Sequence, residues 1–304
     1  MKSLLLKLCI VLMFISTFSL NAQLSQPLSL SEKLAFSTVR LEVLRSDKKK
    51  AYGTAFFFSF LQDSTGEIPV IVTNKHVIKN GVKGTFIISK ANSDGTPNLT
   101  AHIPIVLDNF EQRWILHPDS AIDIAVMPIA PLLNDANSKG VTLFYQSIDN
   151  SIIPSDDNLK QLNAVEEVLM VGYPIGLIDN TNNYPIFRKG ITATHPNLKY
   201  NGKDEFMIDA ACYPGSSGSP VFLLNQGNYV ARNGSTMVQA RLYFLGILYS
   251  GPQFNAKGEI KILNIPTVND TITQTNIPIN LGNIIRSRQL LSFESIFKKI
   301  INKK

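Results

Sequence analysis

Cysteine is nearly absent from this sequence: among 304 residues there are only Cys9 and Cys212. Histidine is also sparse, with four residues, and no two of them have the spacing of metal ligands. A structural zinc site needs four clustered ligands, usually including several cysteines. The sequence therefore predicts neither a metal site nor a cofactor.

The sequence also has only a small excess of basic over acidic residues. Charged residues make up 17% of the chain, and the formal net charge is +6. This excess is too mild to indicate nucleic-acid binding, so we predict no nucleic-acid partner. There is no internal repeat and no low-complexity segment. With 44% hydrophobic residues the chain can bury a large core, as one domain or as two packed halves.

The one long apolar run lies at the N terminus. It extends over residues 3–20, interrupted only by Lys7, after a charged start at Lys2 and before Ala22. These features are typical of a secretory signal peptide, so we predict that residues 1–22 are removed. A retained membrane anchor is the alternative, but the run is short for a membrane span. The mature chain is expected in the periplasm or outside the cell, without stable membrane insertion.

Removal of residues 1–22 takes away Lys2, Lys7 and no acidic residue, so the net charge falls by two, from +6 to +4. It also removes Cys9, which lies too early for lipid attachment at the cleavage point. Cys212 is then the only cysteine, and an internal disulfide is excluded. The stability of the mature protein must come from its hydrophobic core.

From residue 38 onward, short apolar or alternating runs follow one another, separated by clusters of Gly, Pro, Asn and Asp. This pattern predicts an all-β chain of short antiparallel strands, in barrels or a sandwich, rather than βαβ units. The predicted strands are 39–44, 51–60, 68–73, 84–89, 101–108, 125–128, 168–172, 187–195, 205–209, 221–224, 241–249 and 259–264.

Three segments depart from the strand pattern. Residues 23–36 predict a polar lead-in and a short helix with Ser31 as its N-cap. Residues 131–163 are rich in Asn, Asp, Ser and Lys and fit a connector, with some local structure at 141–148. Residues 281–301 have apolar side chains at nearly helical spacing and predict an amphipathic helix. We expect this helix to pack on the protein rather than on a membrane surface.

The segment Gly215-Ser216-Ser217-Gly218 carries the most chemical information. Ser217 lies in a tight turn between two glycines, ahead of an apolar strand. A catalytic serine needs a base to take its proton and donors to bind an oxyanion, and glycines permit the backbone conformations that such a turn requires. Taken alone, the segment favours an ordinary hairpin turn over a catalytic serine.

Two further residues fit the chemistry of a reactive serine. His76 follows the predicted strand 68–73, where a barrel would hold it at the rim. Asp123 precedes an apolar strand, so its carboxylate is drawn toward the interior and must be paired. A carboxylate of this kind holds a catalytic histidine in one tautomer. The other histidines are expected to be surface or packing residues: His102, His117 and His195.

Five motifs in this chain resemble those of the trypsin-like serine proteases, and most closely the bacterial peptidase domain of the high-temperature-requirement (Htr) proteases. They are residues 73–77 (Thr-Asn-Lys-His-Val), 123–126 (Asp-Ile-Ala-Val), 171–177 (Val-Gly-Tyr-Pro-Ile-Gly-Leu), 189–193 (Lys-Gly-Ile-Thr-Ala) and 209–220, in family order across residues 38–251. The first, second and fifth contain the base His76, the acid Asp123 and the nucleophile Ser217.

The resemblance implies a chymotrypsin-like fold: two antiparallel six-stranded β-barrels, here followed by a C-terminal amphipathic helix. After the signal peptide, the implied divisions are a lead-in with the first barrel, a connector, the second barrel and the helix, at 23–135, 136–163, 164–280 and 281–304. His76 and Asp123 would belong to the first barrel and Ser217 to the second. The backbone N–H groups of Gly215 and Ser217 would form the oxyanion hole.

The resemblance also implies substrate-binding positions, which are Ala211, Cys212, Tyr249, Ser250 and Gly251. The first two correspond to the floor and wall of the primary specificity pocket. They carry no acid, so small or medium aliphatic side chains are expected there rather than Arg or Lys. Cys212 is expected to be a small buried side chain, with a reactive thiol as the alternative.

The sequence departs from the family at several positions. Ser216 stands where digestive proteases have an aspartate that pairs with the freed N terminus, so that mode of activation is not expected. Tyr249 stands where those enzymes usually have a serine behind the triad. We expect no appended peptide-binding (PDZ) domain after residue 251, and therefore no oligomeric cage of the Htr type. The oligomeric state is otherwise open.

The leading hypothesis is an exported serine endopeptidase acting on a peptide or protein substrate. A catalytically silent protease-fold module that binds peptides or proteins by strand addition is the alternative, as is an enzyme that needs a partner for activation. Hydrolysis of esters by the same residues remains open.

Overall fold

The computed structural model describes residues 27–63, 66–260 and 271–302. The predicted signal peptide therefore lies outside the described residues. The chain divides into an N-terminal unit that ends at Leu34 and a larger unit that begins at Ala35. Helix α1 (Leu30–Ala35) starts earlier than predicted. Ser29, not Ser31, is its cap, because the Glu32 N–H donates to Ser29 Oγ and the Ser29 N–H donates to the Glu32 carboxylate.

The N-terminal half is a nine-stranded sheet. Its strands are β1 (Thr38–Arg45), β2 (Lys50–Asp63), β3 (Gly66–Thr73), β4 (Gly81–Ala91), β5 (Pro97–Asp108), β6 (Ile115–Leu116), β7 (Ala125–Pro128), β8 (Leu143–Phe144) and β9 (Ile148–Asp149). Neighbouring strands follow the order β5-β4-β1-β2-β3-β7-β6, with β8 paired to β4 and β9 to β2. Helices α2 (Lys75–Ile78) and α3 (Ala130–Ser138) lie in its connections.

The structure corrects the prediction of a six-stranded first barrel. This half has nine strands, and their pairing within the described residues does not close. Three strands are additional: β6 lies between two predicted strands, and β8 and β9 come from the segment predicted to be a connector. Strands of two residues show no alternation, so the sequence pattern could not reveal them. The same segment ends with helix α4 (Asp156–Lys160), whose capping box is formed by Ser155 and Asn158.

The C-terminal half is a closed six-stranded barrel, as predicted. Its strands are β10 (Glu167–Gly172), β11 (Ile186–Thr192), β12 (Glu205–Asp209), β13 (Pro220–Asn225), β16 (Arg241–Ser250) and β19 (Leu281–Arg286), in the order β10-β11-β12-β19-β16-β13. Two hairpins extend from it, β14 (Tyr229–Val230) with β15 (Thr236–Met237), and β17 (Gln253–Ile260) with β18 (Thr271–Pro278). The predicted strand 259–264 overlaps β17, and its residues 261–264 lie outside the described residues.

The predicted C-terminal helix begins later than residue 281. Residues 281–286 form β19, which pairs with both β12 and β16 and closes the barrel. A 3₁₀ turn (Ser287–Leu291) follows, and helix α5 extends over Ser292–Ile301. A short apolar run is compatible with either a helix or a strand, and here the open edge between two strands selects the strand. None of the described helices is long and apolar enough to cross a membrane.

Strand β2 connects the two halves because both of its faces are buried. Phe57 lies in the core of the first sheet. From the opposite face Phe56 contacts Phe244 of the barrel, with ring centroids 5.3 Å apart, and Phe60 contacts Phe297 of α5 at 5.2 Å. A strand buried on both faces has a continuous apolar run, which explains the phenylalanines here. Helix α5 therefore packs on the protein, as predicted.

Candidate active site

The short helix α2 presents His76 at the end of β3. Val77 and Ile78 are buried and anchor this helix, and a Cβ at Gly53 would overlap Val77, so glycine in β2 is what lets the helix approach. Asn74, just before the helix, is fully buried and donates from Nδ2 to the carbonyl oxygen of Asp123 at 2.7 Å. The segment that carries His76 is thereby tied to the segment that carries Asp123.

The Asp123 carboxylate contacts His76 through both of its oxygens. Oδ2 lies 2.5 Å from His76 Nδ1, and Oδ1 accepts the His76 backbone N–H at 3.1 Å. The first contact places the imidazole proton on Nδ1, which leaves Nε2 as an acceptor. The side chain of Asp123 is 22% exposed and that of His76 46% exposed, so the pair lies at the edge of a cleft rather than in the core.

The segment around Ser217 is held between the two halves by its backbone. The Thr54 N–H donates to the Ser217 carbonyl oxygen at 2.9 Å, and the Gly218 N–H donates to the Leu248 carbonyl oxygen at 2.8 Å. Gly218 has φ +88°, and a Cβ there would overlap the Thr54 carbonyl oxygen. Glycine at this position is therefore required both by conformation and by space.

Between Tyr213 and Gly218, two backbone N–H groups have no acceptor among the described residues: those of Gly215 and Ser217. The Pro214 carbonyl oxygen accepts the Ile175 N–H at 2.6 Å, and the Gly215 carbonyl oxygen accepts from Thr54 Oγ1 at 3.1 Å. Because the C=O and N–H of a trans peptide point in opposite directions, the first bond turns the Gly215 N–H away from Ile175. Two free N–H groups in one turn are suited to bind an anionic oxygen.

The predicted residues meet at one cleft of about 380 Å³. Those that line it are His76, Cys212, Gly215, Ser217, Tyr249, Ser250 and Gly251. Asp123 reaches the cleft through His76. Ala211 does not line it; its carbonyl oxygen instead accepts from Arg188. Among the described residues no hydrogen bond joins Ser217 Oγ to His76.

Sequence reasoning missed three residues that hold the Ser217 segment: Thr54, Ile175 and Arg188. Ile175 has φ +53°, a left-handed conformation that is rare for a β-branched side chain, and nothing in the sequence indicates it. Arg188 could have been noticed as a charged residue at an inward position of a predicted strand. Arg45 and Tyr52 also line the cleft on the side of His76.

Cys212 and Tyr249, which both line the cleft, have pKa values that burial raises. Burial raises the pKa of the Cys212 thiol to about 11, so it is protonated at neutral pH. Burial also raises the pKa of Tyr249, whose hydroxyl donates to Glu205 at 2.9 Å. No hydrogen bond from Tyr249 to Asp123 occurs in the described part of the chain.

The other histidines make structural contacts away from the cleft, as predicted. His117 is buried against Phe293, with ring centroids 5.5 Å apart. His102 lies 3.2 Å from Ser89 Oγ, and His195 accepts a backbone N–H two residues further on. Within residues 27–63, 66–260 and 271–302, no three His, Cys, Asp or Glu side chains are arranged to hold a metal ion.

Two β-built halves that meet at a cleft between His76 and Ser217 define the trypsin-like fold. The model of the trypsin-like peptidase domain family matches residues 53–231, more than half of the chain. The chain belongs to this family.

Solved structures with similarity to this chain include an HtrA-type protease, AlgW, with a tripeptide, at 16% identity and a TM-score of 0.45. That match covers 90% of this chain, which spans 62% of the AlgW chain. Rv3671c from M. tuberculosis H37Rv, in an inactive form, has 13% identity and a TM-score of 0.40. That match covers 88% of this chain and 89% of the Rv3671c chain. The active form of the Rv3671c protease from M. tuberculosis has 15% identity and a TM-score of 0.39. That match covers 85% of this chain and 79% of the Rv3671c chain. No curated protein matches the chain.

Proposed function

We propose that this protein is an exported serine endopeptidase that cleaves peptide bonds through an acyl-enzyme. The observation that carries the proposal is the cleft in which Ser217 and the Asp123-bonded His76 lie beside two N–H groups that no described residue accepts from. A nucleophile, an oriented base and oxyanion donors are the three requirements of serine acyl transfer.

Four residues carry out this mechanism. Ser217 Oγ attacks the scissile carbonyl carbon while His76 Nε2 takes its proton, and the Gly215 and Ser217 N–H groups bind the oxyanion. His76 then gives the proton to the leaving amine as the C–N bond breaks. Water repeats the sequence on the acyl-enzyme and releases the acid. Asp123 orients His76 and stabilises its protonated form.

The cleft favours aliphatic side chains in the substrate. Cys212 and Leu248 form part of its wall, and no Asp or Glu is among the residues that line it. A cationic side chain would therefore meet no counter-charge. The end of β16, at Ser250 and Gly251, borders the cleft and is suited to pair with an extended substrate backbone.

Export is part of the proposal on the grounds of residues 1–22 alone. A charged start, an apolar run and Ala22 at the exit support cleavage before Gln23. The mature protein would act in the periplasm or outside the cell, as a protein without an internal disulfide.

One observation favours the second candidate, a protease fold that binds without turnover or awaits a partner. Ser217 Oγ and His76 are not hydrogen-bonded to each other in the described chain. Catalytic hydrogen bonds are often long before substrate binds and tighten in the complex, so this observation is weaker than the assembled cleft.

The experiment is labelling of the mature chain, from Gln23, with a fluorophosphonate probe, which reacts only with an activated serine. Labelling is expected for the wild type and is expected to be lost in Ser217→Ala and His76→Ala. Ser235→Ala and His195→Ala serve as matched controls, because neither residue lines the cleft. A folded wild type that is not labelled would refute the proposal and move the binding function to first place. A peptide library then tests the aliphatic preference.

A further inference from the structure

Arg188 is a cation on the inward side of the second barrel, and it forms no ion pair with an acidic side chain among the described residues. It lies on β11, where 186, 188, 190 and 192 face inward and the residues between them are exposed. Its Nε and Nη2 atoms are buried and have no hydrogen-bond partner among the described residues. Burial lowers the pKa of Arg188. Burying a charge in this way is unfavourable, so its presence calls for a compensating role.

The one engaged nitrogen of Arg188 bridges two points of the segment that precedes Ser217. Nη1 donates to the Ala211 carbonyl oxygen at 2.5 Å and to Ser216 Oγ at 2.8 Å. The approach depends on Gly190, the next inward residue of β11, where a Cβ would overlap the carbonyl oxygen of Asp209. Glycine thus lets the segment lie close enough for Arg188 to reach it.

The bridge closes the loop formed by residues 211–216. Ser216 is fully buried, its N–H donates to the Tyr213 carbonyl oxygen at 3.0 Å, and its Oγ accepts the Tyr213 N–H at 3.3 Å. This loop contains Cys212, which lines the cleft, and Gly215, whose N–H has no acceptor in the described part of the chain. Arg188 therefore holds the loop at Ala211 and Ser216, while the Ile175 N–H holds it at Pro214.

We propose that Arg188 is a positioning residue, which orders the loop 211–216 and so aims the Gly215 N–H into the cleft. Its effect on catalysis rests on the proposed function, but its effect on the loop does not. Because Arg188 belongs to the barrel itself, the loop is ordered as soon as the chain folds, and no cleavage of the chain is needed to supply a cation to Ser216.

The test uses the mature chain with Arg188→Met, which keeps an unbranched apolar stem and removes the charged guanidinium group. Lys189→Met is the matched control, since the neighbouring Lys189 points outward and its side chain is 68% exposed. Amide hydrogen exchange of residues 211–217 is expected to be at least tenfold faster in Arg188→Met and unchanged in the control. Fluorophosphonate labelling is expected to be about 10²-fold slower, the effect of losing one oxyanion donor.

Chemical rescue by guanidinium ions distinguishes a positioning role of Arg188 from a role in folding alone. Guanidinium ions at millimolar concentration are expected to restore labelling of Arg188→Ala, with no effect on Lys189→Met. Ser216→Ala keeps Arg188 and deletes one acceptor, so it decides the matter even if the arginine variants fail to fold. It is expected to slow labelling about tenfold, the value of one hydrogen bond to a charged group.

The outcomes are distinguishable. Wild-type exchange rates at residues 211–217 in Arg188→Met, or in Ser216→Ala if the former is unfolded, would overturn the role of Arg188. A wild type that is never labelled would overturn the proposed function. Faster exchange in the variants would in that case still support the role of Arg188 in ordering the loop.

Discussion

Asp204 joins the start of β12 to the segment that follows β19, and its replacement by asparagine is a direct test of how this barrel is closed. Its carboxylate accepts from Arg286 Nη1 at 3.1 Å, from Arg288 Nη2 at 2.6 Å and Nε at 3.0 Å, and from Gln289 Nε2 at 2.8 Å. The side chains of Asp204 and Arg286 are 15% and 5% exposed, respectively.

The loss of stability in Asp204→Asn comes from the buried arginine that the substitution leaves without a counter-charge. Asparagine has nearly the same shape, but it removes the charge and keeps one accepting oxygen, so Arg286 stays buried without a counter-charge. Breaking a buried ion pair from one side costs about 3–5 kcal/mol. We expect a loss of about 3 kcal/mol in the free energy of unfolding at pH 7, the lower end of that range.

The loss should depend on pH. Burial by itself raises the pKa of Asp204, but hydrogen bonds from Arg288 and Gln289 and the charges of Arg288 and Arg286 lower it overall. A carboxyl whose pKa is depressed on folding contributes stability above its unfolded pKa, about 3.9, and loses it as the pH falls through the folded pKa. The difference between wild type and Asp204→Asn should therefore be constant above about pH 5 and shrink below about pH 4.

The assay is urea unfolding of both proteins at a series of pH values from 7 to 3. Asp156→Asn is the matched control: Asp156 also bonds Arg288, at 3.0 Å, but its side chain is 75% exposed. An exposed pair contributes less than about 1 kcal/mol. Equal losses for the two variants at pH 7, or a loss for Asp204→Asn that is the same at pH 3, would refute the reasoning.

Three further predictions concern the cleft. Gly218→Ala should lower the free energy of unfolding by more than about 2 kcal/mol, because the left-handed φ costs about 1–2 kcal/mol and the Cβ overlaps the Thr54 carbonyl. Gly234 has φ +85° with open space around it, so Gly234→Ala should lower the free energy of unfolding only by the cost of the left-handed φ. Equal losses for the two variants in urea unfolding would contradict this. Asp123→Asn should reduce peptide turnover about 10⁴-fold, since the histidine beside it loses the required tautomer, and a loss below tenfold would count against the proposed base. Alkylation of Cys212 in the folded protein should be slow at pH 8 and accelerate toward pH 11, because the pKa of the thiol is raised to about 11. The urea-unfolded protein should react at pH 8, and rapid reaction of the folded protein at that pH would contradict the prediction.

Much of the fold could be predicted because its causes are local. Alternation of apolar and polar residues depends on near neighbours, and most of the predicted strands occur within a few residues of their expected limits. The glycines around Ser217 were also informative, since Gly215 and Gly218 do have the left-handed conformations that favour glycine. Local sequence was misleading at β19, where buried Ile284 and Ile285 fit a helix as well as a strand.

The sequence by itself determined the fold class, the family and the list of candidate site residues, because these depend on residue type, local spacing and order along the chain. Only the tertiary structure decided which of them meet. It made 281–286 a strand by offering two edges to it, and it put the charge of Arg188 behind Ser216 rather than in solvent. Such contacts join residues far apart in the chain, and nothing in the local pattern of either partner specifies the other.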